Sequence, residues 1–252
     1  MTRTVKKPYS DVGSDVFFEL HQGVNITGPA QVVMFDRAYD EAPVVLISSN
    51  LAETREIVEI PATNDRVTVT TASTPRLVDI LVISGTGVVK TPFSDVTTDA
   101  FIETRKRVAT GTGATVVTFS GRYKTAPVVI TTPHTSHTHW VTAIDTESAD
   151  ARTGASSHVD ILVLGGGRGI VKTPYSDVTS NVFFEAHVAE MTAGDPREVV
   201  IPFERTYKSV PAVFVVPSTS HSLGVTARTT SQCTVTSSAG VTTTAQAIVI
   251  GR

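Results

Sequence analysis

Apolar residues along the chain come in short runs of about four to eight, the length of a strand, separated by polar, glycine and proline turns. Arg66-Val67-Thr68-Val69-Thr70 alternates polar with apolar, as a strand with one buried face does. Val44-Val45-Leu46-Ile47 and Ile80-Leu81-Val82-Ile83 are continuous apolar runs, the signature of strands buried on both faces. The first third of the chain then predicts strands at Val16–Val24, Gln31–Phe35, Pro43–Ser49, Ile57–Pro61, Arg66–Ala72 and Val78–Ser84. No segment combines a helical period with caps, so almost no helix is expected. Short strands separated by turn residues predict two packed antiparallel sheets.

The same pattern occurs three times. Lys6-Lys7-Pro8-Tyr9-Ser10-Asp11-Val12 returns as Lys90-Thr91-Pro92-Phe93-Ser94-Asp95-Val96 and as Lys172-Thr173-Pro174-Tyr175-Ser176-Asp177-Val178. Phe35, Phe119 and Phe203 are spaced by 84 residues, as are Tyr39, Tyr123 and Tyr207, and Pro43, Pro127 and Pro211. The expected organisation is three tandem six-stranded antiparallel β-sandwich modules at 1–87, 88–169 and 170–252. This period is too long for a solenoid repeat and suits a small sandwich. The joints, around Gly85-Thr86-Gly87 and Gly165-Gly166-Gly167-Arg168-Gly169, are short. They imply one rigid body, arranged either linearly or as a pseudo-threefold cluster.

Composition agrees and narrows the function. There are 38 valines and 39 threonines among 252 residues, both β-branched and strand-favouring. Charged residues are 18% and mean hydropathy is +0.10, which argues against disorder. A net charge of −3 offers no electrostatic case for nucleic acid. No apolar run approaches the roughly 20 residues of a membrane span, and the N-terminus lacks the apolar core of a signal peptide. The single Cys233 excludes a disulfide within the chain and a cysteine-rich metal site.

Val32-Val33-Met34-Phe35-Asp36-Arg37-Ala38-Tyr39-Asp40-Glu41-Ala42-Pro43-Val44-Val45 resembles the H-type lectin family, in which a strand ending in Phe leads through an aromatic turn to Pro-Val-Val. Val116-Val117-Thr118-Phe119 through Tyr123 to Pro127-Val128-Val129 repeats the resemblance, as does Val199 to Phe203, Tyr207 and Pro211-Ala212-Val213. The resemblance implies a β-sandwich, carbohydrate binding at loop ends and a trimeric assembly, here on one chain. It supplies no sugar-binding residue.

The residue pattern itself supplies candidates. Pro133-His134-Thr135-Ser136-His137-Thr138-His139-Trp140 holds three of the seven histidines and the only tryptophan. If this segment is a strand, His137 and His139 share a side and could ligate a transition metal. Alternatively His137, His139, Trp140 and nearby Arg152 form a ligand rim, with the indole as a platform for a sugar ring. The plainest reading is a polar structural loop with a half-buried Trp. Leu162 through Gly169 superficially resembles a nucleotide loop, but Lys172-Thr173-Pro174 cannot open the helix such a loop needs. The thrice-repeated Lys-x-Pro-aromatic-Ser-Asp-Val has the chemistry of a structural turn. Glu19, Glu103 and Glu185 occupy equivalent positions, where each is either solvated or meets a Lys or Arg of an adjacent module; the second is favoured.

There is no nucleophile elbow and no His-Glu-x-x-His, and Asp145 with Glu147, or Glu56 with Glu59, read as surface carboxylates rather than an acid–base pair. The expectation is a non-catalytic recognition or adhesion protein without a cofactor. Its partners would be a carbohydrate and other virion structural proteins, with no nucleic acid and no membrane insertion. The low cysteine content suits a virion appendage such as a fibre, spike or capsid decoration, displayed on the virion surface. A purely structural virion component and a lectin acting outside the cell are the alternatives. A homo-oligomer or a pseudo-threefold monomer would provide multivalency.

Overall fold

The computed structural model describes residues 3–6, 17–50, 58–60, 62–70, 76–83, 87–91, 100–120, 123–135, 137–165, 169–173, 182–194, 197–238 and 240–251. Among these every regular element is a β-strand. The first module contains β1 (Arg3–Lys6), β2 (Phe17–Ile26), β3 (Ala30–Met34), β4 (Val44–Ser49), β5 (Val58–Ile60), β6 (Arg66–Thr70) and β7 (Arg76–Ile83). The second contains β8 (Gly87–Thr91), β9 (Ala100–Thr110), β10 (Thr115–Thr118), β11 (Val128–Pro133), β12 (His139–Thr142), β13 (Ser148–Thr153) and β14 (Ser157–Leu164). The third contains β15 (Gly169–Thr173), β16 (Val182–Met191), β17 (Glu198–Pro202), β18 (Ala212–Pro217), β19 (Leu223–Arg228), β20 (Gln232–Ser237) and β21 (Thr243–Gly251).

Each module pairs a four-stranded sheet with a three-stranded one, ordered β1-β2-β7-β4 and β3-β6-β5 in the first and likewise in the others. All pairings are antiparallel. Among the described residues each module therefore has seven strands, one more than the six expected. The additional strands β1, β8 and β15 lie in what reads as joint and lead sequence, because each is short and ends at the Lys-x-Pro segment. Residues 8–12, 92–96 and 174–178 of those segments lie outside the described residues.

In all three modules the Phe and Tyr of the repeated turn are pinned to the turn between the last two strands of the three-stranded sheet. Phe119 N–H donates to Glu147 O at 2.7 Å and Tyr123 N–H to Thr146 O at 2.9 Å, with the same bonds from Phe35 and Tyr39 and from Phe203 and Tyr207. The rings meet edge to face, at 5.7, 5.3 and 5.6 Å between centroids in chain order.

A fully buried glutamate closes each turn from the opposite sheet. Glu103 accepts from Ser120 N–H at 2.9 Å, from Tyr123 Oη at 3.2 Å and from Arg105 Nη2 at 2.6 Å. Glu19 accepts from Asp36 N–H at 2.6 Å, Tyr39 Oη at 2.9 Å and His21 Nε2 at 2.5 Å. Glu185 is held by Glu204 N–H, by Tyr207 Oη at 2.7 Å and by His187 Nε2 at 2.7 Å. The expectation that these glutamates meet a cation of an adjacent module is corrected: their partners belong to their own module. Burial at this depth is tolerated because each carboxylate is paired and hydrogen-bonded.

This clamp makes stability pH-dependent. Burial, reinforced by the neighbouring glutamate, raises Tyr39, Tyr123 and Tyr207 well above the ordinary phenol. A raised folded-state value means that their contribution is complete below about pH 10 and is lost as pH rises past it. Stability is expected to hold to about pH 9.5 and then fall by about 4 kcal/mol per pH unit for the three together. Urea denaturation across that range checks this, and Tyr207→Phe should flatten the slope by about a third. At Glu185 burial works to raise the carboxyl, but bonds from His187, Glu204 N–H and Tyr207 outweigh it and the net shift is downward. That contribution is present above the ordinary glutamate value and is lost as pH falls below it.

The three modules close on one another about a pseudo-threefold axis, with β4, β11 and β18 meeting pairwise. Val45, Ile80 and Val82 face the interior of their own sandwich, whereas Leu46, Leu81 and Ile83 join a central core with Ile130, Leu162, Phe214 and Ile248 of the other modules. Burial on both faces is why these strands are apolar without alternation. Each three-stranded sheet abuts the next module, β5 against β11, β12 against β18 and β19 against β4.

The outward edges of the axial strands are capped by side chains rather than left bare. Val45 N–H donates to Asp160 Oδ2 at 3.0 Å and Ile47 N–H to Thr132 Oγ1 at 3.0 Å. Val129 N–H donates to Gln246 Oε1 at 2.8 Å. Asp79 occupies the equivalent position of the first module and takes Arg228 of the third. The caps on β4 and β11 occupy edges on which another chain would pair, and the Asp79–Arg228 contact continues the same cyclic sense. In the first two modules Asp79 and Asp160 also accept an N–H from a bulge residue in left-handed conformation, Gly23 (φ 62°) and Arg107 (φ 53°).

Candidate functional site

The hairpin of β12 and β13 carries the residues that the sequence singles out. Its turn is set by Asp145, whose carboxylate accepts the N–H groups of Glu147 and Ser148 at 2.7 Å each. Those bonds hold its carboxyl below the usual range, and Asp145 and Glu147 are accounted for as a turn. Strand β13 alternates half-buried and buried positions from Ser148 to Thr153. Ala149, Ala151, Val141 and Val117 fill the sandwich, which leaves Ser148, Asp150 and Arg152 on the open face.

On that face Trp140 stands directly opposite Arg152, and Thr142 directly opposite Asp150. Residues so placed have Cβ atoms about 5 Å apart, close enough for ring and guanidinium to work on one ligand. Trp140 is half-buried. Arg152 has 34% of its side chain exposed and its Nη2 is 3.8 Å from Asp150 Oδ2, while its Nε is buried without a hydrogen-bond partner. The Thr142 hydroxyl is buried too, and likewise without a partner. Val116, 65% exposed, flanks Asp150 on its other side. The result is an aromatic surface beside a guanidinium and a carboxylate, on a sheet rather than a loop.

His139 pairs with Thr153, so it points to the opposite side of β12 from Trp140. His137 precedes the strand, in a bend where its N–H donates to Thr135 O at 2.7 Å. Strand alternation therefore does not set the two imidazoles side by side. The third histidine, His134, is buried with Nε2 3.0 Å from Asp160 Oδ1, at the junction with the first module. Among the described residues no group of three or more His, Cys, Asp or Glu side chains is placed to hold a metal ion.

Asp150 and Thr142 were missing from the sequence-level candidates. The alternation of Ser148 to Thr153 was the available signal, since it puts Asp150 on the same face as Arg152. The constellation is confined to this module: the registered pair equivalent to Trp140 and Arg152 is Val58 and Thr70 in the first, and Gly224 and Thr236 in the third.

Two other motifs receive packing explanations. Gly165, at the head of the glycine run, lies against the Tyr123 ring, where a Cβ would come within 2.1 Å of two ring carbons. Cys233 is buried, which pushes its thiol up to about 12 and keeps it protonated and unreactive at neutral pH. No family model matches the chain, and neither a curated protein nor a solved structure matches it.

Proposed function

We propose that the protein is a non-catalytic recognition protein that binds carbohydrate through the open face of its second module, on a scaffold of three H-type-lectin-like sandwiches. The observation that carries this reading is the registered pair of Trp140 and Arg152, with Asp150 and Thr142 on the adjoining rank. An indole covers the apolar face of a pyranose, while guanidinium and carboxylate exchange hydrogen bonds with its hydroxyls. One such shelf per chain binds weakly, so display of several chains on a virion surface would supply avidity. The test is a glycan array probed with the folded protein presented multivalently. Specific signals should be lost in Trp140→Ala, with the thermal midpoint checked in parallel. Signals that survive the substitution would move the site elsewhere.

The closed pseudo-threefold body favours a second reading, in which the chain is a structural virion component seated on a threefold axis. A blank array from folded protein would support it over the first.

A further inference from the structure

We infer that the shelf takes an acidic glycan, whose sugar ring lies on Trp140 while a carboxylate on that sugar is held by Arg152; this rests on the carbohydrate reading above. Arg152 brings a cation to the open face, with a third of its side chain exposed and a loose ion pair to Asp150. The 3.8 Å separation of Nη2 from Asp150 is an ion-pair distance, too long for a hydrogen bond; Nε is buried, so a ligand would meet the terminal nitrogens of the guanidinium. A planar guanidinium presenting its terminal N–H groups matches a carboxylate better than it matches a lone hydroxyl.

On the side away from Trp140, Arg152 is neighboured by the turn before β10, whose Gly111 O accepts the N–H of Thr153 at 3.1 Å. Strand β10 begins opposite Ala151, one residue short of the rank that holds Arg152. The turn before β10 contains Gly111 and Gly113, where an added Cβ would meet nothing within 4 Å. Asp150 lies one rank further along, between Val116 and Thr142. It would repel an anion placed over it and so directs the carboxylate to the glycine side of Arg152. Of the three equivalent cross-strand pairs this one joins a ring and a cation, whereas Val58 with Thr70 and Gly224 with Thr236 carry no charge.

The experiment uses the full chain on an array that pairs sialylated and hexuronate oligosaccharides with their carboxyl-reduced counterparts. The acidic member of a pair should bind about tenfold or more tightly. Its advantage should shrink between about 50 mM and about 500 mM salt, a comparison that needs no variant. Arg152→Gln should erase the difference within pairs and leave weak binding through Trp140. Equal binding of both members, unchanged in Arg152→Gln, would overturn the inference and leave the carbohydrate site standing. Binding of neither member would remove both. Displacement by polyglutamate but not by soluble acidic glycan would overturn it in favour of an acidic peptide.

Discussion

Glu103→Ala is expected to lower the unfolding free energy by about 4 kcal/mol, a large part of what a domain of this size has. The carboxylate is fully buried and serves three donors at once: Arg105, the Tyr123 hydroxyl and the Ser120 N–H. Alanine removes the shared acceptor; Arg105 Nη2 keeps its bonds to Thr118 O and Ser120 Oγ, whereas the Tyr123 hydroxyl is enclosed too deeply for water to replace the carboxylate. Glu103→Gln keeps shape and one acceptor but loses the charge, and should cost about 1–2 kcal/mol. Urea denaturation ranks the pair. Equal stability of Glu103→Ala and wild type would mean that the clamp does not hold the turn.

Gly165→Ala should be comparably damaging, at about 3 kcal/mol or more, although it adds only a methyl group. The added Cβ would lie 2.1 Å from Cδ1 and Cε1 of Tyr123. The ring has little room to yield, because its hydroxyl is bonded to Glu103 and its face is met edge-on by Phe119. Gly113→Ala is the control, since a Cβ there meets nothing, and should shift stability by less than about 0.5 kcal/mol. Both damaging substitutions act through Tyr123, so the double variant should cost less than their sum. Thermal and urea midpoints of the four proteins decide this.

The parts of the fold legible in the sequence are those that repeat at constant interval or alternate locally. Phe119, Tyr123 and Pro127 at 84 residues from their counterparts mark the modules without any knowledge of the sheets. The partners of the buried glutamates were not legible, because Tyr123 is twenty residues from Glu103 and only the stacking of one sheet on the other brings them together. Ring closure was hidden for a related reason. Asp79, Asp160 and Gln246 occupy one position of the repeat, yet the third is an amide and each answers to a different module. At the site, Trp140 and Arg152 stand out by residue type, whereas their being directly opposite depends on the register of β12 and β13. The two histidines were grouped by their spacing alone. Because β12 starts only at His139, that grouping has no strand to support it.

The closed ring also bears on how a shallow site could be useful. The edges of β4 and β11 are capped and the central core is continuous across modules, so the hairpin of β12 and β13 stands on a closely packed body. A shelf on a rigid sheet loses little conformational freedom when it binds.

Trp140 is the chain's only tryptophan, so indole fluorescence reports on this shelf alone. The most direct test of the central claim is to titrate the intact protein with a glycan that scores on the array, and to follow emission and iodide quenching. Binding at the shelf should shift the emission to shorter wavelength and protect the indole from quenching, saturating at one site per chain. A glycan that binds while emission and quenching stay unchanged would show that recognition happens elsewhere on the molecule.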